Sequence, residues 1–256
     1  EGPDGSGKTT QAKRLKAYLE TKGREVVLTR EPGGTGLAET LRSLALSPEI
    51  TMSKRVESLL HVAARADHVD KVIRPALEAG KVVICDRFSD STLIYQGILG
   101  GMDLDELERL SLFGSKGLSP DVTFLIDGNP RVLLSRREAR GVTDKFEAQG
   151  LLFQEKIRQG YLTLLDRYPE RMILIDGEGT PDSVTDALIK KVENFSKWGI
   201  VYLLCNTMEG TSSCGIPFWV MKPIKYFWET CSKESVKHRP SFFDGPDGIG
   251  KKKSCL

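Results

Sequence analysis

A glycine-rich segment near the amino end of the chain has the residue types that bind a polyphosphate. Residues 2–9 fit the pattern G-x-x-x-x-G-K-[ST], and the candidate cradle consists of Gly2, Pro3, Asp4, Gly5, Ser6, Gly7, Lys8, Thr9 and Thr10. Glycines let successive backbone N–H groups point toward one anion, and the start of a helix adds positive potential. We therefore predict that the segment binds a nucleoside triphosphate, with Lys8 on the β- and γ-phosphates and the Thr9 hydroxyl on Mg²⁺.

A second charged site follows the apolar run at residues 82–85, where Asp86 and Arg87 come directly after a candidate strand. An aspartate at the end of a buried strand is the usual carboxylate partner of the Mg²⁺ in such a nucleotide site. The adjacent arginine has the planar fork that binds a phosphate through two hydrogen bonds. The alternative interpretation of Asp86 and Arg87 is a surface ion pair.

The elements that must position these residues alternate between short β-branched runs and longer helical patterns. Strands are predicted at residues 25–29, 82–85, 122–126 and 172–175, all buried on both faces, as parallel strands usually are. Helices are predicted at residues 9–22 and 53–79, and further helices begin near Asp103, Pro130, Glu147 and Pro181. This order indicates a doubly wound α/β fold, whose ligands bind at the carboxyl ends of the strands.

Composition is that of a globular protein, with 39% hydrophobic and 28% charged residues in 256. The formal charge of +2 argues against a nucleic-acid partner, and no apolar run is long enough to cross a membrane. Five scattered cysteines do not form a disulfide framework, which is typical of a cytoplasmic protein.

The last part of the chain differs from the rest. Residues 197–256 hold all three tryptophans and four of the five cysteines, and we treat them as an atypical C-terminal extension beyond a domain at 1–196. Within the extension, the G-P-D-G at residues 245–248 repeats the start of the N-terminal cradle. This degenerate second P-loop-like segment is not expected to form a second active site, since Lys252 stands where the Mg²⁺-binding hydroxyl belongs.

Five more blocks occur in order along residues 1–196: R-E-P-G-G-T at 30–35, L-L-H-V-A-A-R at 59–65, D-R-F at 86–88, T-L-I-Y-Q-G at 92–97 and L-S-P-D at 118–121. Together with the glycine-rich loop, they resemble the motifs of bacterial thymidylate kinases. The resemblance implies ATP-dependent phosphorylation of dTMP to dTDP, with ATP and Mg²⁺ bound. It also implies a doubly wound core of five parallel strands, a mobile lid and a homodimer.

The resemblance further implies a role for each matched residue. Asp4 faces the sugar 3′-hydroxyl, Arg65 reads the thymine edge, and Arg87 holds the acceptor phosphate. Thr92 and Gln96 contact the base, and Tyr95 lines the sugar. Pro32 and His61 complete the expected substrate-binding set, in which His61 takes the place of a phenylalanine that stacks on thymine.

The lid is expected around residues 135–147, a segment rich in arginine. Arginines that close over the γ-phosphate neutralise charge in phosphoryl transfer, so Arg136, Arg137 and Arg140 join Lys8 and Arg87 as catalytic candidates. A solvated basic helix face is the alternative for each of the three. Lys145 stands where many relatives have an arginine, and lysine lacks the bidentate fork.

Two alternative functions remain at this stage. His61 favours a kinase of another pyrimidine monophosphate, since imidazole offers a smaller stacking surface than phenyl. Lys145 and the atypical extension favour a catalytically weak nucleotide-binding protein that interacts with a partner.

Overall fold

The computed structural model describes residues 1–138 and 150–203. Contacts divide the chain into two units, residues 1–200 and 201–256. Residues 139–149, which include Arg140 and Lys145, and the extension beyond residue 203 lie outside the described residues, so the predictions made for them stay predictions. Over the described part of the chain, no helix is both long and apolar enough to span a membrane.

Four parallel strands form two ladders within the described residues. β1 (Val26–Arg30) pairs with β2 (Val82–Asp86), with Val26 opposite Val82. β3 (Thr123–Asp127) pairs with β4 (Met172–Asp176), with Thr123 opposite Met172. All four strands match the predicted ones to within one residue at each end.

The helices between these strands give the predicted α/β alternation. In chain order they are α1 (Lys8–Thr21), α2 (Gly36–Leu46), α3 (Lys54–His68), α4 (Arg74–Glu78), α5 (Ser89–Thr92), α6 (Leu104–Gly114), α7 (Pro130–Glu138), α8 (Leu151–Arg167) and α9 (Pro181–Leu203). Wider π-helical turns, Val69–Ile73 and Leu93–Ile98, follow α3 and α5.

Local signals explain where several helices begin. The Ser53 hydroxyl accepts from the backbone N–H of Val56 and caps α3, and the Asp103 carboxylate caps α6 in the same way. The single helix predicted at residues 53–79 is instead α3, a π turn and α4. Pro75 lacks the N–H that would bond back to residue 71, which accounts for a change of helix type just before it.

The expectation of one five-stranded sheet is not confirmed, because the described residues form four strands in two sheets. Glu1 alone continues the β3 ladder: its backbone N–H donates to the Phe124 carbonyl, and its own carbonyl accepts from the Ile126 N–H. The prediction that every strand is buried on both faces is wrong for β1, β2 and β4: all residues of β2 are partly exposed, and β1 and β4 each include exposed residues. Within the described residues these three strands are each hydrogen-bonded to a neighbouring strand on one edge only, whereas Glu1 continues the other edge of β3, the most buried strand.

Apolar side chains cover both faces of the β3–β4 ladder. On one face Leu125 and Met172 pack with Ile157, Tyr161 and Leu164 of α8. On the other face Ile126 and Ile175 pack with side chains of α1 and α9, namely Leu15, Val184 and Leu188. These layers fix the glycine-rich loop and α8 relative to the same pair of strands.

The β3–β4 ladder offers a matched test of this core. Leu125 is 1% exposed, and its register partner Leu174 is 45% exposed. We expect Leu125→Ala to lower the free energy of unfolding by about 2 to 5 kcal/mol, since it leaves a cavity in a packed core. Leu174→Ala should cost less than about 1 kcal/mol. Urea denaturation measures both, and equal losses would contradict this description of the core.

Candidate active site

The glycine-rich loop is wound so that only glycine fits at its turns. Gly2, Gly5 and Gly7 all have positive φ, and Gly7 is the residue at which α1 begins. A Cβ on Gly2 would lie 2.3 Å from the Ile126 carbonyl oxygen, and one on Gly5 would lie 2.2 Å from that of Leu133. The Ser6 hydroxyl is buried and has no hydrogen-bond partner. A buried hydroxyl without a partner, beside a helix amino end, fits a loop that receives an anion.

One carboxylate in this loop joins two cations. Asp4 Oδ1 accepts from Lys8 Nζ at 3.4 Å and forms a salt bridge with the guanidinium of Arg87. Burial opposes ionisation of Asp4, but Arg87 and Lys8 outweigh it and hold the pKa of the carboxyl well below its usual value. Burial, and then the charge of Arg87, lower the pKa of Lys8. The lysine also donates to the Pro3 carbonyl at 2.8 Å.

Thr9 and Asp86 meet as the sequence predicts. The Thr9 hydroxyl donates to Asp86 Oδ2 at 2.5 Å, although the residues are 77 positions apart. A hydroxyl and a carboxylate are the oxygen donors that Mg²⁺ prefers. Among the described residues, no group of three or more His, Cys, Asp or Glu side chains could hold a metal ion, so this pair would supply only part of a coordination shell.

A cavity of about 190 Å³ opens beside the loop. All eight predicted substrate-binding residues line it: Asp4, Pro32, His61, Arg65, Arg87, Thr92, Tyr95 and Gln96. They come from the loop, the turn after β1, α3, the end of β2 and the segment from α5 to the following π turn. The cavity is thus built at the carboxyl ends of β1 and β2, where the fold class places a ligand.

Arg65 is held rigidly in the wall of this cavity. Its Nε donates to Glu31 Oε2 at 2.8 Å, and its Nη2 donates to the Thr92 hydroxyl at 3.0 Å. The other Glu31 oxygen lies 3.0 Å from His68 Nδ1, and His68 Nε2 lies 2.6 Å from the Thr29 hydroxyl. Arg65, Glu31 and His68 are all buried. A buried guanidinium with fixed partners offers a precisely oriented donor edge to a ligand.

Gln96 is fixed in a similar way. Its Nε2 donates to Glu57 Oε1 at 2.7 Å, and Lys54 forms a salt bridge with Glu57 at 3.0 Å. The Gln96 and Glu57 side chains are buried. The contact between them sets which way the amide of Gln96 faces.

Arg87 is set at the junction between the cavity and the loop. Its φ of 70° is left-handed, which is rare for a residue other than glycine and costs backbone energy. Its guanidinium contacts Asp4 and lies 5.6 Å from the centre of the Tyr95 ring. Burial disfavours the charged form of Arg87, but Tyr95 and then the carboxylate of Asp4 help raise its pKa above the usual value, so the residue is a permanent cation.

His61 lines the cavity at the position where a phenylalanine is expected. Burial, and then the nearby Arg65, lower the pKa of its imidazole to about 4. The ring is therefore neutral at physiological pH, and one nitrogen is a donor and the other an acceptor.

Comparisons with known proteins show which family the chain belongs to. The model of the thymidylate kinase family matches residues 1–188. The chain belongs to the thymidylate kinase family.

Individual members of the family cover most of this chain. It is 43% identical to a thymidylate kinase of an Exiguobacterium species over 202 residues, 78% of this chain and 95% of that protein. It is 46% identical to one of Pseudomonas putida over 193 residues, 74% and 92% of the two chains. The crystal structure of thymidylate kinase from Ehrlichia chaffeensis superimposes with a TM-score of 0.62 at 34% identity, covering 75% of this chain and 95% of that one.

Of the three lid arginines that the thymidylate kinase motifs suggest, Arg136 is the one whose side chain lies within the described residues. Arg136 donates to the carbonyls of Gly177 and Glu178, at 2.8 and 3.0 Å. A Cβ on Gly177 would lie 3.5 Å from the Ser6 carbonyl oxygen, so Arg136 secures a turn that borders the phosphate loop. Arg137 lies on α7, but its side chain is outside the described residues, as is all of Arg140.

Sequence reasoning missed several residues of this thymidylate kinase family site. Glu31 and Arg42 line the cavity, and Glu1, His68 and Tyr161 support residues that do. Glu31 lies inside the quoted R-E-P-G-G-T block, so the block itself was the available signal. Tyr161 had no such signal, because it reaches Arg87 across 74 positions of sequence.

Replacing His61 by Phe should remove an acid sensitivity of the fold. The pKa of His61 is about 4 in the folded chain against a usual 6.5, so the unfolded chain binds more protons between these values. Folded stability therefore falls as pH drops from 6.5 towards 4, by roughly 3 kcal/mol for one such group.

As the pH falls from about 7.5 to about 4.5, we expect the Tm of the unsubstituted protein to fall more than the Tm of His61→Phe, as proton linkage requires. Thermal unfolding followed by circular dichroism measures this difference. Parallel Tm profiles for the two proteins would contradict the buried, neutral imidazole.

Proposed function

We propose that this protein transfers the γ-phosphoryl group of ATP to dTMP, giving dTDP and ADP, in the cytoplasm. One observation carries the proposal: Lys8 of the phosphate loop and Arg87 of the adjoining cavity contact the same carboxylate, Asp4. A donor polyphosphate on the loop and an acceptor phosphate on Arg87 would therefore meet beside Asp4. Membership of the thymidylate kinase family supports dTMP as the acceptor.

The residues at this junction account for most of what phosphoryl transfer requires. Charge builds up on the transferred group and on its two neighbouring oxygens, so cations must already be in place. Lys8 supplies one at the donor and Arg87 supplies one at the acceptor. The attacking group is an oxygen of a phosphate, which is already ionised, so no side chain needs to act as a general base. Asp4 contacts both cations and so keeps Lys8 and Arg87 in fixed positions relative to each other, and it faces the acceptor sugar.

Mg²⁺ fits the pair formed by Thr9 and Asp86. Two oxygen donors in contact are a partial shell, and Mg²⁺ in nucleotide sites completes its shell with phosphate oxygens and water. When bound, the ion would neutralise charge on the donor phosphates. Thr9 and Asp86 would hold its position relative to Lys8, the residue that precedes Thr9 on α1.

Base recognition would use the opposite wall of the cavity. Arg65 and Gln96 are locked by Glu31 and Glu57, and Thr92 accepts from Arg65, so their remaining polar edges have fixed directions. A nucleobase is selected by fixed donors and acceptors, since each wrong base leaves one of them unpaired. Tyr95 packs beside Arg87 and would lie along the sugar.

The lid arginines stay part of the proposal. Arg136 already secures the turn at Gly177 and Glu178, next to the phosphate loop. We assign Arg137 and Arg140 to the charge of the transferred group, since Gly5 leaves the loop itself without an arginine at that position.

Substitution of Lys8 by Ala tests the donor side. We expect turnover to fall by a factor of about 100 or more, since a preorganised cation on the transferred group is lost. A coupled assay of ADP release with dTMP, and calorimetry with a non-hydrolysable ATP analogue, measure turnover and affinity. Lys13→Ala, one turn along the same helix, is the control. Unchanged affinity and unchanged product formation in Lys8→Ala would refute the nucleotide site.

The same ADP-release assay separates the alternatives when it is run with dTMP, dUMP, UMP and CMP. The proposal requires the highest kcat/KM for dTMP. A preference for CMP or UMP would instead identify a kinase of another pyrimidine monophosphate, the alternative that His61 favours. Nucleotide binding without turnover on any acceptor would identify a weak nucleotide-binding protein.

A homodimer is the second part of the proposal, supported by an exposed apolar face. α3 and α6 pack closely where Val62 meets Gly114, since a Cβ on that glycine would lie 2.6 Å from Val62 Cγ1. On these two packed helices, Leu59 of α3 is 50% exposed and Phe113 of α6 is 82% exposed. Large exposed apolar side chains are typical of an interface between subunits.

A charged side chain introduced on this face should prevent the two subunits from associating. We expect Leu59→Arg to convert a dimer into a monomer, since burying an unpaired charge in an apolar interface is costly. Sedimentation velocity measures the change in mass. Leu152→Arg is the control, because Leu152 is 75% exposed on α8, away from this face. A dimer that persists in Leu59→Arg would contradict this interface.

A further inference from the structure

A buried tyrosine lies behind the acceptor arginine, outside the set of residues that the proposed reaction uses. Tyr161 is 1% exposed, on α8, and packs in the core with Ile157 and Leu164. Its hydroxyl nevertheless reaches the active site, where it lies 3.0 Å from Arg87 Nη1 and 2.9 Å from Glu1 Oε2. The Ser91 hydroxyl is a third partner, at 3.2 Å. A hydroxyl in a hydrophobic core is costly to bury, so these partners are informative.

The directions of these hydrogen bonds follow from the charges. Burial, and then the carboxylate of Glu1, raise the pKa of Tyr161 well above its usual value, so the phenol keeps its proton. It donates that proton to Glu1 and accepts from Arg87. Glu1 is itself fixed by the backbone N–H of Phe88 at 2.7 Å and by the Ser91 hydroxyl at 2.7 Å. The tyrosine therefore links a fixed carboxylate to the arginine.

Arg87 stands between two sets of partners. Nη2 contacts Asp4, while Nη1 donates to the Tyr161 hydroxyl, the Ser91 hydroxyl and the Gly2 carbonyl. Without the Tyr161 hydroxyl, Glu1 Oε2 would lose a donor and would still lie 3.8 Å from Arg87. The guanidinium would then be drawn toward Glu1, since a buried carboxylate seeks a new partner. Its fork would no longer be aimed at the cavity.

We propose that Tyr161 is a positioning residue of the acceptor site, whose hydroxyl orients Arg87 toward the phosphate of the incoming nucleotide. This inference rests on the proposed role of Arg87. The helix that carries Tyr161 is well anchored for the purpose: one turn earlier, Arg158 binds the Asp127 carboxylate at the end of β3 through hydrogen bonds of 2.8 to 3.1 Å. The position of the hydroxyl is thereby tied to the strand that borders the phosphate loop.

Tyr161→Phe is the appropriate substitution, since it removes one oxygen and keeps the ring in the core. The readout compares two ligands of the cavity, dTMP and thymidine, which differ by the phosphate. We expect the KM for dTMP to rise about tenfold through loss of a charge-assisted contact, while the inhibition constant of thymidine stays within about twofold. A general disturbance of the cavity would weaken both ligands alike.

Two further variants complete the experiment. Tyr168→Phe, at the residue that directly follows α8, is the control, because the Tyr168 hydroxyl accepts from Arg167 and not from an active-site residue; its kinetic constants should not change. Arg87→Ala should weaken the binding of dTMP but not the binding of thymidine. Adding Tyr161→Phe to Arg87→Ala should have little further effect on dTMP binding, since the two residues act through one contact.

Each outcome decides one of the two claims. If Tyr161→Phe leaves the KM for dTMP unchanged, or weakens the binding of thymidine as much as that of dTMP, the positioning role is wrong while the proposed function stands. If Arg87→Ala fails to discriminate between dTMP and thymidine, the proposed role of Arg87 is wrong, and the role of Tyr161 falls with it. Additive effects in the double variant would also overturn the positioning role.

Discussion

The shared contact of Lys8 and Arg87 with the carboxylate of Asp4 is the interaction on which the rest of the site depends. Two buried cations repel each other, and only an ionised carboxylate between them makes their approach favourable. The low pKa of Asp4 records this balance. It also explains why the phosphate loop and the end of β2 must be packed against each other, since Arg87 comes from the strand and Lys8 from the loop.

Around this contact, other carboxylates fix the cationic and amide side chains of the site. Glu31 holds Arg65, Glu57 holds Gln96, and Glu1 holds Tyr161, which in turn contacts Arg87. Flexible polar side chains lose much rotamer freedom when they bind a ligand. Because carboxylates fix these side chains in the folded protein, their rotamer freedom is lost during folding and not on binding. The cavity is therefore ordered before substrate arrives. The apolar layers around β3 and β4 keep the supporting helices in place.

Sequence patterns were sufficient for the elements and for much of the site. Glycine spacing and a lysine identified the phosphate loop, and caps such as Ser53 and Asp103 marked helix starts, because these signals act over a few residues. The eight cavity residues were found through motifs, and the structure brings all of them to one cavity. The five-stranded sheet that the family resemblance implies is not confirmed, because the described residues form two sheets of two strands. Strand pairing depends on partners far along the chain, which local patterns do not reveal. The placement of Arg136 against Gly177 and Glu178 was missed for the same reason.

The sequence by itself determined the α/β alternation, the anion-binding loop and the kind of chemistry its lysine and arginines support. Tertiary structure alone decided which residues hold those groups in position. His68 and Tyr161 are polar residues in unremarkable local surroundings, and they become part of the site only when strand ends and helices pack together. Contacts across 37 or 74 positions leave no periodic trace in the sequence, since they depend on where the folded chain brings distant residues together.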